Sequence, residues 1–558
     1  MKKIFKTVLT VAFAGLVFNA CETTDLDLRV SPNDLAISQA DPNLILNSIQ
    51  LAGVSNMDRF NELSAQLTRI EYMTGRIYFN NFQGNIMNSV WARTYSSEFN
   101  LAGDTGVDVG LFTNVDALKQ INANSDINYD FHVAVGQTIK AYSLLLLTDF
   151  IGQAAFTQAG NPDEFPAPIL DDGPVVYDGA LSLLDEAEAL FATNPPTQGA
   201  TDFYYGGDST KWIKLINSIR LRTHFLTGNT AAFNAVIAGN NFISDIEDDF
   251  QFQYGTRVLQ PDTRHPEYED DYGPTGAGGY LSNWLMETMR VKEDPRIRYY
   301  FYRQVEATPG ADADPDEQFL SCSLFSVPQH FIDGGYTTFC SVPNGYWGRN
   351  HGNDEGTPPD GFFKTAYGVY PAAGRFDDNS FEPIGLGQGG GGAGIRPIVL
   401  ASYVDFWRGA MATTPAAKAE FLRSAMEKSI AKVQSFGAVD GNADKSFEPT
   451  ETEVSDYIDD TVAAFLAASG DAQEDIFAEQ YWIAQWGGAQ EAWNYYRKTG
   501  YPTTLSPSWE PDPGPFPRSF FYPQDEVITN PNLQQRADLT NQVFWDTNPA
   551  SPAFPQAN

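Results

Sequence analysis

Residues 132–152, "HVAVGQTIKAYSLLLLTDFIG", carry apolar side chains at Val135, Ile139, Tyr142, Leu146 and Phe150. Spacings of three and four put these five on one face of an α-helix, and the run is far longer than an ordinary strand. "YDGALSLLDEAEALF" (177–191) repeats the pattern with Leu181, Leu184 and Phe191, and "STKWIKLINSIRLRTHFL" (209–226) with Trp212, Leu215, Ile219 and Arg222. Ser209 or Thr210 is placed to cap the last of these. Small residues at Gly136, Ala141 and Ala180 let neighbouring helices approach, so stacked helical hairpins of tetratricopeptide type are expected, although the repeat consensus is not intact. The expected fold class is therefore mainly α.

A chain of 558 residues that is 42% hydrophobic and 13% aromatic can build a large core. Its 35 Lys and Arg against 71 Asp and Glu give a formal charge of −36. Nucleic-acid binding draws most of its affinity from basic residues that displace counterions, so no nucleic-acid partner is expected. Carbohydrate, peptide and protein partners are compatible with this charge.

Helical texture is expected over about 33–247 and again over about 397–500. Between about 248 and 396 the chain is rich in Gly, Pro, Tyr, Trp and Asp and ends in "GLGQGGGGAGIRP". Loops this long in a compact chain are usually functional, which makes this stretch the expected binding region. Catalytic signatures are sparse: the five histidines start no HExxH helix, and there is no G-x-S-x-G elbow or Walker loop. Two carboxylates suffice for a glycosidase, so 71 acids leave hydrolysis open without supporting it.

Sugar capture needs aromatic faces with planar polar groups beside them. "CSVPNGYWGRNHGNDEGTPPDG" (340–361) offers Tyr346 and Trp347 with Asn344, Arg349, His351, Asn353 and Asp354, and its glycines predict solvent exposure. Trp91 and Tyr95 in "NSVWARTYSSEFN", with Tyr78 upstream, form a second set that would either bind ligand or pack a helical hairpin. One calcium site is conceivable: "DGNADKSFEPTE" puts Asp440, Asn442, Asp444, Ser446, Glu448 and Glu451 at the ligand positions of an EF-hand loop, but Lys445 stands where glycine makes the turn. A solvated acidic loop is the other reading, and no further cofactor is expected.

At the N-terminus, Lys2, Lys3 and Lys6 precede an apolar core from Val8 to Phe18, with Ala20 just before Cys21. The core is shorter than the roughly 20 residues that span a bilayer, so residues 1–20 read as a signal peptide. The cleavage region resembles a bacterial lipobox, with Phe18 and Asn19 departing from the usual residues. Cys21 would then be the lipidated first residue of the mature chain, followed by a tether over 21–32; an ordinary secretory signal with an incidental cysteine is the alternative. With Cys21 so used, Cys322 and Cys340 remain as an even pair in an exported protein, which favours a disulfide over two buried thiols.

"YWIAQWGGAQEAWNYYRKTGYP" (481–502) places Trp482, Trp486, Ala489 and Trp493 at helical spacing, a core stripe by the ordinary reading. Its Glu491, Ala492, Trp493, Arg497, Thr499, Gly500, Tyr501 and Pro502 also resemble the closing signature of the SusD/RagB family of Bacteroidetes surface lipoproteins. "FPRSFFYPQDEVITNPNL" resembles the same family's tail through Arg518, Tyr522, Pro523, Glu526 and Asn530, and "KEDPRIRYYF" supplies its mid-chain Asp294-Pro295-Arg296. The resemblance implies a single SusD-like domain over 33–558 with four tetratricopeptide-like hairpins as scaffold. It further implies an outer-membrane lipoprotein at the cell surface that captures oligosaccharides or polysaccharides without catalysis, for a partner TonB-dependent, SusC-like transporter. A peptide-binding relative and a cryptic glycoside hydrolase remain the alternatives.

Overall fold

Helix α1 (Pro42–Leu67) turns one face inward through Leu46, Ile49, Met57, Phe60 and Leu63. The computed structural model describes residues 40–96, 109–193, 200–308, 320–355 and 360–554, and Pro42–Asn558 is one compact unit. The expected signal peptide, Cys21 and the expected tether lie outside the described residues. After α1 come α2 (Asn88–Tyr95), α3 (Leu111–Asn124) and α4 (Asp130–Ile151). The periodicity of α4 predicts one apolar face. The helix is instead buried from Phe131 to Ile151, because α1, α3 and α5 (Gly173–Thr193) all pack on it. A helix covered on every side has no polar face to show, which explains the run Leu144–Leu147. Gly136 is the close-approach point: a methyl there would come within 3.1 Å of Val115 and 3.2 Å of Ile49.

Consecutive helices continue to pair. α6 (Ser209–Thr227) packs on α7 (Thr230–Gly239), and its cap is Asp208, which accepts from the amides of Thr210 and Lys211, so neither Ser209 nor Thr210 caps it. Beyond the loop-rich stretch, α10 (Ala401–Ala410) packs on α11 (Pro415–Gln434) and α12 (Glu451–Ala467) on α13 (Asp471–Ala484), followed by α14 (Ala492–Thr499). Helix α12 starts on a capping box between Thr450 and Glu453. The middle of the chain includes the shorter helices α8 (Pro266–Asp271) and α9 (Asn283–Val291).

Strands are few and short. β1 (Gln153–Ala154) pairs with β2 (Asp171–Asp172), and β4 (Phe301–Tyr302) with β5 (Ala366–Tyr367), both antiparallel. β3 (Phe250–Gln253) pairs antiparallel with β6 (Ile395–Val399), in the register Gln253 to Ile395 with a bulge at Phe250 and Gln251. This last pair closes the base of the loop-rich excursion, fastening both its ends to the helices. No helix among the described residues is long and apolar enough to cross a membrane.

The closing-signature residues tie helices together. Arg222 of α6 is buried and bonds Asp149 of α4 on one side and Glu491 (2.9 Å) on the other. Tyr142 donates to Glu491 (3.0 Å), Trp545 to Asp149 (2.8 Å) and Asn494 to Glu491 (2.9 Å), so both carboxylates are well supplied with donors. Arg497 lies over the ring of Trp493 at 3.6 Å, and Arg518 pairs with Asp546. The aromatic stripe of 481–502 is core: Trp482, Trp486 and Trp493 are fully buried.

Candidate ligand-binding cleft

A cleft of about 790 Å³ opens where α1 and the turn after it meet the loop-rich excursion. Helix α1 lines it with Asp58, Arg59 and Glu62, and the turn adds Glu71 and Tyr72. From the opposite side come Glu267, Asp270 and Asp271 of α8, Tyr280 from the glycine-flanked segment after it, and Arg349. Tyr367 of β5 and Arg396 of β6 complete the floor, and Arg93 of α2 stands on the wall.

The two tyrosines meet edge to face, with ring centroids 5.9 Å apart. The Arg349 guanidinium lies 4.1 Å from the Tyr280 ring centre, donates to its hydroxyl (3.1 Å) and donates to the Glu355 carbonyl (2.6 Å). Tyr280 in turn donates to Asp360 (2.5 Å), and Tyr72 to the carbonyl of Asn353. This wall is thus pre-positioned by hydrogen bonds, and it presents half-buried rings beside a planar cation.

The floor is anionic. Arg396 is held between Asp58 and Glu267 (3.1 Å), and Arg59 by Glu62 (2.6 Å). Glu71 accepts from the Tyr367 hydroxyl at 3.2 Å. Burial, followed by repulsion from Glu267, pushes the Glu71 carboxyl up to about 8 despite the pull of Arg396. Burial likewise raises Asp271 to about 7, against hydrogen bonds from the amides of Tyr367 (2.8 Å) and Gly278 (3.2 Å).

Of the residues singled out in the sequence as binding candidates, Arg349 and Asp354 line this cleft and the others do not. The expected exposure of Trp347 and Tyr346 is overturned. Trp347 is 1% exposed and stacks on Phe363 with centroids 5.5 Å apart, and Tyr346 is 5% exposed beneath the Arg303 guanidinium at 5.0 Å. The flanking glycines are there for close packing: a Cβ on Gly345 would stand 2.0 Å from the Val305 carbonyl, and one on Gly348 2.3 Å from that of Leu281. His351 is buried against Tyr78, its ring nitrogen 3.3 Å from the Tyr78 hydroxyl, and burial drives its pKa well down. Asn353 is buried and accepts from the Glu355 amide (2.9 Å).

Tyr78 lines a separate hollow with Arg69, His330 and Phe516. Trp91 packs on Tyr95 at 4.4 Å and donates to Glu526 (3.1 Å), while Tyr95 continues the stack onto Phe112, so this pair takes the packing role. The residues that sequence reasoning missed are Tyr72, Tyr280, Arg93 and Glu71. "GAGGYLSN" (276–283) held a signal, an aromatic isolated among glycines, whereas Tyr72 acquires its place from tertiary structure alone.

Cys322 and Cys340 are joined by a disulfide. In the loop singled out for calcium, several side chains have partners within the protein. Asp440 turns inward to accept from the Phe376 amide (3.1 Å), Asp444 caps the turn over Lys445–Phe447 through the Ser446 amide (2.9 Å), and Lys445 reaches the Gly437 carbonyl. Asn442 and Glu451 are exposed, and the described residues hold no group of three or more His, Cys, Asp or Glu suited to a metal ion.

A family model described as "Starch-binding associating with outer membrane", SusD-like, matches residues 32–316, more than half of the chain. The chain belongs to the SusD-like family. Solved structures similar to this SusD-like protein include a chitin-binding SusD homolog from Flavobacterium johnsoniae, 18% identical at a TM-score of 0.56, covering 91% of this chain and 99% of that one. A SusD/RagB family protein from Bacteroides thetaiotaomicron is 17% identical at a TM-score of 0.59, with coverage of 92% and 100%. A Bacteroidetes SusD-like protein is 17% identical at 0.62, with coverage of 91% and 100%. At such identities the likeness speaks for the fold. No curated protein matches the chain.

Proposed function

We propose that this SusD-like protein captures oligosaccharides in the cleft between α1 and the loop-rich excursion, without catalysis, and passes them to a TonB-dependent transporter of SusC type. The observation that carries the reading is the cleft wall: Tyr72 lines it as a half-buried ring for stacking, set against Tyr280, whose own ring lies under Arg349 and Lys364, with the floor carboxylates beside them to bond hydroxyl groups. Burying apolar ring area supplies affinity, and the hydroxyl bonds, largely exchanged with water, supply specificity. The family description and the chitin-binding relative support the same ligand class. Cys21 is the proposed lipid anchor holding the protein on the outer face of the outer membrane.

Glycan arrays on the full chain in detergent, followed by calorimetry with Tyr72→Ala, test the capture. Binding of oligosaccharides by the wild type that collapses in the variant is the expected result; an array blank for sugars but positive for peptides overturns it in favour of a peptide-binding relative. Glu71, its carboxyl raised by burial and by Glu267, has the character of a glycosidase acid. Arg396 grips both Asp58 and Glu267, however, which keeps these two from acting as a free base or nucleophile. A reducing-sugar assay should therefore stay at background. Replacing Cys21 with Ser should move the protein from the membrane to the soluble fraction.

A further inference from the structure

The cations around the cleft floor are already engaged. Arg396 spends its guanidinium on Asp58, Glu267 and the Gly487 carbonyl (2.8 Å), and Arg59 on Glu62 and the Ile86 carbonyl (3.1 Å). Glu71 is faced by Glu62 of α1, Glu267 of α8, Arg396 of β6 and the Tyr367 hydroxyl of β5. Among the described residues it has a hydrogen bond from Tyr367 and no ion pair of its own. Asp270 and Asp271 extend the same surface without an ion pair among the described residues, since Asp271 is held by backbone amides. The walls and floor thus form a shaped cavity in which one carboxyl, Glu71, has no counter-ion among the described residues and holds a proton in its place at neutral pH.

An acyl amide or a hydroxyl arriving there would leave Glu71 protonated, and a carboxylate or sulfate would hold the proton more firmly. An ammonium group would release that proton and form an ion pair with the carboxylate. We propose that the captured sugar carries a free, unacylated amine, and that Glu71 receives this ammonium at the cleft floor. This rests on the glycan reading above and names the substrate class for that site. The ammonium would favour the ionised form of Glu71, whose carboxyl in the empty cleft is raised by burial and by Glu267. A metal ion is the less suitable occupant, because the described residues bring no three metal-ligating side chains together.

Calorimetry on the full chain in detergent at neutral pH, with a glucosamine tetrasaccharide, its fully N-acetylated counterpart, a uronic-acid tetrasaccharide and a trilysine peptide, tests the assignment. The amino sugar should bind about tenfold more tightly than the acetylated one, and the uronate more weakly than both. Glu71→Gln, similar in shape and checked for an unchanged melting temperature, should reduce the preference for amine over acetamide to about twofold or less. Equal affinity of the wild type for amine and acetamide, or a preference that survives Glu71→Gln, overturns the ammonium site while leaving glycan capture intact. Trilysine binding more tightly than the amino sugar overturns the sugar in favour of a cationic peptide. Binding of no oligosaccharide overturns the glycan reading, and the ammonium site falls with it.

Discussion

Two clusters of acids around a buried arginine stand in this molecule, and they differ in how completely they are satisfied. In the scaffold, Arg222 lies between Asp149 and Glu491, and Tyr142, Asn494 and Trp545 add further donors to the same carboxylates. At the cleft floor, Arg396 lies between Asp58 and Glu267, yet Glu71 beside them accepts from one tyrosine hydroxyl and faces open volume. The saturated cluster offers a ligand nothing, because every added group would displace an existing partner. The undersaturated one retains an unmet demand, and a ligand can meet it. Similar residue types thus serve cohesion in one place and recognition in another, according to what lies on their open side.

The comparison breaks most severely at Arg222. Arg222→Ala strands Asp149 and Glu491 in the core without their counter-charge, and removing one member of a buried pair costs about 3–5 kcal/mol. Urea unfolding should show a loss at the upper end of that range, since two pairs break together. A loss under about 1 kcal/mol would mean that the network is not the tie it looks like geometrically.

Trp347→Ala should come next, with a loss of about 3–5 kcal/mol from an emptied core site, and with sugar affinity changed only as far as the fold is disturbed. Unaltered unfolding combined with weakened binding would return Trp347 to the ligand. Tyr72→Ala should show the opposite pattern. Oligosaccharide affinity should fall by about 2 kcal/mol, roughly thirtyfold, as for an aromatic hot spot, with stability little altered. The two variants, measured by calorimetry and urea unfolding in parallel, separate core from platform.

Much of the scaffold was legible because helix periodicity is local: the spacing of Leu184, Phe191, Trp212 and Leu215 already states which face is buried. What was not legible is coverage. Helix α4 reads as one-faced, and only the arrival of α1, α3 and α5 shows that no face is left for water. The cleft was legible in two neighbouring residues, Arg349 and Asp354. Its other members come from widely separated segments at 58–72, 267–280, 367 and 396, and no local pattern states that these converge. The glycines around Trp347 misled for a physical reason: glycine permits exposed turns and also permits backbones to touch, and Gly345 and Gly348 do the latter.

The smallest expected effect sharpens the comparison without breaking anything. Glu71 titrates near 8 in the folded protein and near 4.5 as an ordinary glutamate, so between these values the folded state holds a proton that the unfolded state has lost. Stability from this group is fully present below about pH 4.5 and is lost as pH rises towards and through 8. Glutamine keeps the shape of the protonated side chain and cannot ionise. The stability of Glu71→Gln relative to wild type, followed by urea unfolding from pH 5 to pH 8.5 without ligand, should therefore shift steadily in favour of the variant. Asp271, raised to about 7 and still present in both proteins, contributes a slope of the same sign that cancels in the difference to the extent that its own titration is unaffected. A difference independent of pH would mean that Glu71 is already ionised in the empty cleft. The floor would then be as well satisfied as the Arg222 cluster, and the contrast between the two would lose its electrostatic basis.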